Sequence, residues 1–330
     1  MKHSIIFFFL VFATLTDSSV IGQTPDLPPQ FGPHQWTATV TVIGEDGSPV
    51  PATDVSLQYS VPTPLGSSDP TFGEVKGLTD TNGIFYASHT DSSQDLGVVI
   101  EKAGYYATHT GWQFYFDEKR RNPSFTLVLK KIGKPIAMYA RQIDSEPPVF
   151  KKTGRPPISF TNSIGYDLVV GDWVAPYGKG ANTDINFTEE YNKQSTTDFD
   201  YRLTISFPNA GDGIQEFTVP DMEKGSILRS PHEAPADGYQ ARLIRDNFHH
   251  VGQTGKADYD PNRNYFFRVR TALDHQGNVV SAHYGKIYGD PEQMNFGYYF
   301  NPTPNDRNIE FDAKQNLLQG LQSFEQVSSP

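Results

Sequence analysis

The sequence contains no cysteine among its 330 residues. Disulfide bonds, thiolate metal ligands and cysteine nucleophiles are therefore excluded, as is the lipid-modified cysteine of a lipoprotein anchor. Because no disulfide can support the fold, each domain must be stable through its own apolar core. Hydrophobic residues make up 37% of the chain and aromatic residues 13%, so such cores are feasible and global disorder is not expected.

Long hydrophobic runs are missing beyond the first 22 residues. No later segment approaches the roughly 20 apolar residues that a membrane-spanning helix needs, so no membrane span is expected in the mature chain. Positively charged residues are outnumbered, because 27 Lys and Arg residues stand against 38 Asp and Glu residues. The net charge is therefore −11 at pH 7. An acidic surface repels phosphate groups, and we therefore expect no nucleic-acid partner.

The motifs of several common enzyme mechanisms are absent as well. The chain has neither a Gly-x-Ser-x-Gly nucleophile elbow nor a phosphate-binding loop. His232-Glu233 opens like the helix of a zinc protease, but Ala236 stands where the second histidine is needed. The sequence therefore indicates no catalytic residue, no metal ligand and no cofactor. Hydrolases that use two carboxylates carry no local signature and stay open.

The first feature that the chain does contain is an export signal. A short basic start precedes an apolar run over residues 5–15, which is too short to cross a bilayer. Val20 and Gly22 are small enough for a cleavage site, so we predict a signal peptide over 1–22; an uncleaved anchor is the alternative. A cysteine-free exported chain fits a bacterial periplasmic or secreted protein better than a eukaryotic one.

After a proline-rich linker over 23–34, short segments of alternating apolar and polar residues predict β-strands. Turns that contain Asp-Gly or Asn-Gly separate several of them, because these residues tolerate positive φ. Without a helical period, the pattern predicts a small β-sandwich over 35–132, with an exposed loop over 62–76. The predicted strands of this domain are 36–43, 54–61, 84–87, 96–101 and 123–130.

The motif order in this part resembles the carboxypeptidase regulatory-like family, a transthyretin-like β-sandwich. The matching stretches are Thr79-Asp80-Thr81-Asn82-Gly83-Ile84-Phe85 and, further on, Glu101-Lys102-Ala103-Gly104-Tyr105. The resemblance covers residues 35–132, and it implies a non-catalytic module attached to an exported protein. The loop over 62–76 is longer and richer in proline than the family pattern.

Four prolines with mixed charge over 144–157 predict a linker between domains, which we place at 133–157. A second β-rich domain is predicted over 158–318, followed by a C-terminal tail over 319–330. The predicted fold class is therefore all-β, with two β-sandwich-like domains joined by a proline-rich linker.

Hairpins are the clearest local prediction in the second domain. Residues 265–273 and 279–288 flank an Asp-His-Gln-Gly-Asn turn, and 200–207 is expected to pair with 214–219. Two short segments, 239–248 and 313–324, could be helical.

The second half resembles a group of uncharacterised exported bacterial two-domain proteins. The resemblance lies in stretches such as GDWVAPYGKG at 171–180 and NPTPNDRNIEFD at 301–312. It implies a shared architecture and no particular activity.

Aromatic and polar residues are concentrated around the loop at 171–180. Aromatic rings stack on sugar rings and neighbouring polar groups bind hydroxyls, so this composition favours a carbohydrate site. The alternative is a loop whose aromatic residues close the end of a sandwich. The candidate ligand-binding residues are Asp172, Trp173, Tyr177, Lys179 and Asp184.

Three functions therefore stay open. The first is an exported non-catalytic protein that binds a glycan or another envelope protein. The second is a polysaccharide hydrolase with Asp172 or Asp184 near its site, which needs two carboxylates about 5 to 10 Å apart in a cleft. The third is a structural surface component, which needs an exposed apolar edge or patch. The oligomeric state is not indicated.

Overall fold

The structure of the protein is a computed structural model that describes residues 33–61, 71–114, 118–144, 146–147, 149–150, 155–260 and 262–330. The predicted signal peptide over 1–22 lies outside these residues, as does nearly all of the predicted linker over 23–34. The described part is all-β, with eighteen strands in four sheets, four short 3-10 helices and no α-helix. No helix in it is long and apolar enough to span a membrane.

The first sandwich consists of a three-stranded and a four-stranded sheet. Its strands are β1 (His34–Gly44), β2 (Asp54–Val61), β3 (Thr71–Leu78), β4 (Ile84–Asp91), β5 (Asp95–Glu101), β6 (Thr108–Gln113) and β7 (Ser124–Leu129). The sheet orders are β4-β1-β7 and β3-β2-β5-β6. Trp36 and Val40 from one sheet pack on Leu57 and Val98 from the other, and all four side chains are fully buried.

A tight turn joins the two sheets of this sandwich at residues 79–83. One carboxylate oxygen of Asp80 accepts hydrogen bonds from the backbone N–H groups of Asn82 and Ile84, both at 2.9 Å. Gly83 has a φ of 74°, and a Cβ there would meet the carbonyl oxygen of Val42 at 2.4 Å. The turn that the sequence predicts is confirmed. Residues 71–76, expected in a loop, instead begin strand β3.

The second sandwich consists of a five-stranded and a six-stranded sheet. Its strands are β8 (Ile136–Ile143), β9 (Ile158–Asp167), β10 (Asp172–Trp173), β11 (Ile185–Ser195), β12 (Asp198–Ser206), β13 (Gly213–Phe217), β14 (Arg242–His249), β15 (Asn264–Leu273), β16 (Val279–Tyr288), β17 (Phe296–Phe300) and β18 (Phe311–Asn316). The sheet orders are β10-β9-β11-β12-β14 and β13-β15-β16-β17-β8-β18. Phe187 and Leu203 pack against Phe267 and Ile287 between the sheets.

Strand β8 lies inside residues 133–157, where the prolines predict a linker. It pairs antiparallel with β17, and Phe300 lies opposite Tyr139. Met138 and Ala140 contribute to one hydrophobic cluster, while Ile143 contributes to the cluster on the other face of the sheet. Residues 136–143 are therefore part of the second sandwich. The prolines flank this strand instead of interrupting it.

Neither of the two segments that the sequence allows as helices, 239–248 and 313–324, forms an α-helix; each overlaps a strand, and the second also reaches the 3-10 helix Ser323–Glu325. Residues 242–249 form β14, and 311–316 form β18. In β14 the buried side chain of Arg245 donates hydrogen bonds to Glu216 at 2.5 Å and to the hydroxyl of Tyr265 at 2.8 Å. A charged residue thus occupies a core-facing position of the strand, which conceals its alternation in the sequence.

One of the two predicted hairpins is confirmed. β15 and β16 pair around a turn in which the Asp274 carboxylate accepts the backbone N–H groups of Gln276 and Asn278, both at 2.8 Å. The expected hairpin of 200–207 with 214–219 does not form, because β12 pairs with β11 and β14 while β13 pairs with β15. The intervening turn carries the chain from one sheet of the sandwich to the other.

Polar residues, all of them buried except the half-buried Glu223, connect the two sandwiches, and we call this group the joint. The Tyr106 hydroxyl, from the first sandwich, donates to a carboxylate oxygen of Glu310 at 2.5 Å. Lys130, which follows β7, forms an ion pair with Glu223 at 2.6 Å and donates to the carbonyl oxygen of Ser230 at 3.2 Å. Lys130 and Glu310 are only 2% and 1% exposed. The joint comprises Tyr106, Lys130, Glu223, Ser230, Lys286 and Glu310.

Candidate functional site

The loop at 171–180 is held by its own side chains. The carboxylate of Asp172 accepts the backbone N–H groups of Trp173 and Lys179, both at 2.8 Å. The Trp173 ring packs edge-on against Tyr166 and Phe187, with centroid distances of 4.9 and 5.6 Å. Trp173 therefore contributes to the sandwich core, and Asp172 shapes the loop.

The other predicted site residues are divided between surface and interior. Tyr177 is 44% exposed and Lys179 is exposed, whereas Asp184 is only 4% exposed. Asp184 accepts two hydrogen bonds from the Arg270 guanidinium, at 2.7 and 2.9 Å, and one from the backbone N–H of Leu168 at 2.9 Å. Both its carboxylate oxygens are thus engaged inside the protein. Of the five predicted residues, Tyr177 and Lys179 present exposed side chains.

A groove of about 490 Å³ lies across the five-stranded sheet. It crosses four adjacent strands, β9, β11, β12 and β14, at three consecutive residues of each. The middle residues of β11 and β12, Tyr191 and Tyr201, pack on the core, so the side chains flanking them point to the outer face. The outward-facing residues of the groove are Ser159, Thr161, Glu190, Asn192, Asp200, Arg202, Asp246 and Phe248, with Lys256 beside β14.

The pairing register places the polar side chains of the groove in rows across the sheet. Glu190 lies opposite Arg202, which lies opposite Asp246. The Arg202 guanidinium donates to both carboxylate oxygens of Asp246, at 2.7 and 3.4 Å. In the next row, Asn192 lies opposite Asp200, which lies opposite Phe248. Carboxylate, amide and guanidinium groups therefore line the floor at neighbouring positions.

An aromatic pair lies beside the groove, formed by the groove residue Phe248 and by His250, which does not line the groove. The rings of Phe248 and His250 are stacked, with centroids 5.6 Å apart and planes inclined by 23°. His250 lies between Asp198, at 2.8 Å, and Asp200, at 3.1 Å. The hydrogen bond to Asp198 raises the pKa of His250 above its ordinary value, and the charge of Asp200 acts in the same direction. The imidazole is therefore held beside the groove by two carboxylates.

A carboxyl group with a raised pKa lies close to the groove. Burial raises the pKa of Glu292, and the neighbouring Asp290 raises it further. Asn247 donates to Glu292 at 3.2 Å, and the Tyr201 hydroxyl donates to its backbone carbonyl at 3.0 Å. Glu292 is buried, so this carboxyl does not line the surface where a ligand would lie. Among the residues that the structure describes, no group of three or more His, Asp or Glu side chains could hold a metal ion.

The groove residues escape prediction from sequence because they are spread over residues 159–256. Each one looks like an ordinary solvent-facing residue of a strand. The available signal is the alternation in β11 and β12, in which polar residues regularly flank Tyr191 and Tyr201. The alternation gives the face of each side chain, but only the strand register brings the four segments together.

Comparison with known proteins assigns no family. No protein-family model matches the chain, and no curated protein matches it. The solved structure of 3-chlorocatechol 1,2-dioxygenase from Rhodococcus opacus 1CP aligns with 32% of this chain at 13% identity and a TM-score of 0.24. The alignment covers 63% of that enzyme, less than two thirds of its length.

A second solved structure is the shaft pilin spaA from Lactobacillus rhamnosus GG. It aligns with 54% of this chain at 11% identity and a TM-score of 0.23, over 90% of the pilin. Similarity at this level transfers neither activity nor partners. The all-β, sandwich-like architecture rests on the strands and sheets described above.

Proposed function

We propose that the protein is an exported, non-catalytic binding protein of the bacterial periplasm or cell surface, and that it binds carbohydrate in the groove across β9, β11, β12 and β14. The observation that carries this proposal is the array of exposed polar side chains on the groove floor, together with the groove residue Phe248, on which His250 stacks. The volume, about 490 Å³, lies within the range of about 300 to 1,000 Å³ for ligand sites.

The chemistry of the floor suits a polyhydroxylated ligand. A sugar hydroxyl both donates and accepts, so it can bind carboxylates such as Glu190 and Asp200 and also amide or guanidinium donors such as Asn192 and Arg202. An aromatic ring covers the apolar face of a sugar. The groove holds charges of both signs, which favours a neutral glycan over a strongly charged one.

The hydrolase alternative receives less support from the geometry. Asp184 is engaged with Arg270, and Asp172 accepts backbone N–H groups of its own loop. Neither carboxylate is available to act on a substrate in the arrangement described. We therefore keep the binding proposal ahead of the two-carboxylate hydrolase.

The first sandwich is proposed to be a carboxypeptidase regulatory-like module. Its seven strands in two sheets and its Asp80 turn support this assignment. In the proposal this module has no catalytic role. Through the joint it holds the second sandwich, and with it the groove, in a fixed orientation.

A glycan-array screen tests the proposal. The full-length exported protein is compared with the double variant Arg202→Ala/Asp246→Ala, which removes both partners of an exposed ion pair and leaves the net charge unchanged. Asp221→Ala/Lys224→Ala removes another exposed ion pair and is the matched control. We expect glycan binding that falls at least about tenfold in the groove variant, since charged hydrogen bonds contribute about 1.5–3 kcal/mol each, and stays unchanged in the control. Absence of binding to any glycan would overturn the proposal, and so would a groove variant that binds normally.

A further inference from the structure

Strand β3 forms an open edge of the four-stranded sheet in the first sandwich. The sheet order is β3-β2-β5-β6, and within the described residues no strand pairs with the outer edge of β3. Its side chains alternate, and the outward-facing ones include two large apolar groups, Phe72 at 70% and Leu78 at 58% exposure. An edge strand of eight residues with exposed apolar side chains is a template for pairing with another strand.

The sequence of β3 is self-complementary about its centre. Reading outward from Val75 in both directions, Glu74 is matched by Lys76, Gly73 by Gly77 and Phe72 by Leu78. In an antiparallel pair of two β3 strands centred on Val75, each residue therefore lies opposite its counterpart. Each Glu74 would face a lysine, and each Phe72 would face a leucine.

We infer that β3 is an interface between two copies of this chain, which pair antiparallel across a twofold axis at Val75. A twofold interface repeats every contact twice, so the pairing brings together two Glu74–Lys76 ion pairs and two Phe72–Leu78 contacts. Opposite charges and apolar side chains directly across two strands both stabilise a sheet. The two four-stranded sheets would then form one continuous sheet of eight strands.

Contacts on both faces of β3 hold the strand in place for such a pairing. Glu74 and Lys76 already form an ion pair at 2.7 Å on the outer face, and Ser56 donates to Glu74 at 2.5 Å. On the inner face the rings of Tyr59 and Phe85 cover Gly73 and Gly77, where a Cβ would approach each ring to 2.2 Å. The edge is thus packed from inside, while its outer charges and apolar groups stay exposed.

Charge reversal tests the inferred register. Sedimentation velocity over a concentration series should show a reversible dimer of the full-length protein. Glu74→Lys and Lys76→Glu, made singly, each place two like-charge pairs across the interface and should raise the dissociation constant at least about tenfold. The double variant Glu74→Lys/Lys76→Glu restores opposite charges at both pairs and should recover the dimer. Unfolding midpoints measured in parallel confirm that the variants fold.

A single introduced cysteine gives a second, independent test. Because the chain has no cysteine, Val75→Cys can form a disulfide only between two copies. Residues directly opposite in antiparallel strands have Cα atoms about 4.5 or 5.5 Å apart, within the range of about 4.4–6.8 Å that a disulfide spans. Oxidation should give a covalent dimer for Val75→Cys. It should give none for the control Val99→Cys, since β5 is an interior strand of the same sheet.

Two results would overturn the inference. One is a protein that stays monomeric up to about 1 mM, a concentration at which even a dimer with a dissociation constant of about 1 mM would be well populated. The other is a dimer that neither single charge reversal weakens and that Val75→Cys does not cross-link. Neither result bears on the carbohydrate proposal, because the groove lies on the other sandwich.

Discussion

The joint and the groove use the same kinds of side chain for opposite purposes. In the joint, Lys130 and Glu310 are removed from water, and each is held by specific hydrogen bonds. In the groove, Glu190 and Asp200 remain in contact with solvent on the outer face of a sheet. A buried charge without its partners is costly, so the joint residues are committed to the fold. The charged groove residues are solvent-accessible, so folding does not require partners for them and they can exchange water for a ligand.

Lys286 shows how strongly the joint constrains its members. Burial lowers the pKa of this amine well below its ordinary value. Its nitrogen donates to the Ser230 hydroxyl at 3.3 Å and lies 4.9 Å from the centroid of the Tyr299 ring. Such a group stabilises the fold only while its surroundings stay in place.

The largest predicted difference between the two regions is in stability. Glu310→Ala removes the acceptor of the Tyr106 hydroxyl and of the backbone N–H groups of Gly133 and Lys134. We expect a loss of about 3 kcal/mol or more in the free energy of unfolding, measured by urea denaturation. Glu190→Ala in the groove is the control and should change it by about 0.5 kcal/mol at most. Equal losses of stability for Glu310→Ala and Glu190→Ala would contradict the distinction between a structural joint and a solvent-exposed groove.

The loop at 171–180 lies between these extremes. Trp173→Ala removes a ring that packs on Tyr166 and Phe187, so we expect about 2 kcal/mol of destabilisation, less than for a fully buried tryptophan. Tyr177→Ala, at an exposed position of the same loop, should cost about 0.5 kcal/mol or less. Denaturation and glycan binding are measured on both variants. A Trp173→Ala variant that is as stable as the wild type but no longer binds glycan would show that the binding site is in this loop and not in the groove.

Acid should weaken the joint as Glu310 becomes protonated. Burial raises the pKa of Glu310, but hydrogen bonds from Tyr106, Gly133 and Lys134 lower it further than burial raises it, so its pKa lies below the ordinary value. A lowered pKa in the folded state means that the stabilisation is complete above the unfolded pKa, about 4.3, and is lost as pH falls through the folded pKa. Urea denaturation from pH 6 to 3 should show this loss in the wild type. Glu310→Ala should show a flatter dependence, and parallel curves would contradict the assignment.

The smallest predicted effect is the titration of His250. Its raised pKa means that the stabilisation from its contacts with Asp198 and Asp200 is complete below about pH 6.5 and is lost as pH rises through the folded pKa. NMR titration of the imidazole should give a pKa above 6.5. His250→Gln identifies the signal by its disappearance. A measured pKa below 6.5 would show that the two carboxylates do not hold the ring in solution.

The strands with regular alternation can be predicted from sequence. The expected bounds 54–61 and 279–288 coincide with β2 and β16. A strand is not predicted where prolines beside it, or a charged residue within it, obscure the alternation of apolar and polar residues. The prolines on both sides of β8 predict a linker there instead of a strand. In β14 the buried Arg245 interrupts the alternation of apolar and polar residues. Strand β3 contains two glycines at positions where rings of other strands fill the space.

The candidate site is less accessible to sequence reasoning than the fold. Asp184 looks like an available carboxylate until its partner Arg270, 86 residues further on, is brought beside it. The Trp173 ring looks like a stacking platform until Tyr166 and Phe187 are seen to surround it. Composition identifies residues capable of binding, whereas burial and register decide which of them are free to do so.

Hydrogen exchange with and without bound glycan tests the central claim most directly. The glycan with the strongest array signal is added to the full-length protein, and amide exchange is followed by mass spectrometry. We predict slower exchange in peptides that cover 190–192, 200–202 and 246–248, with no change at 171–184. Slower exchange confined to 171–184, with the groove peptides unaffected, would contradict the assignment of the binding site to the groove.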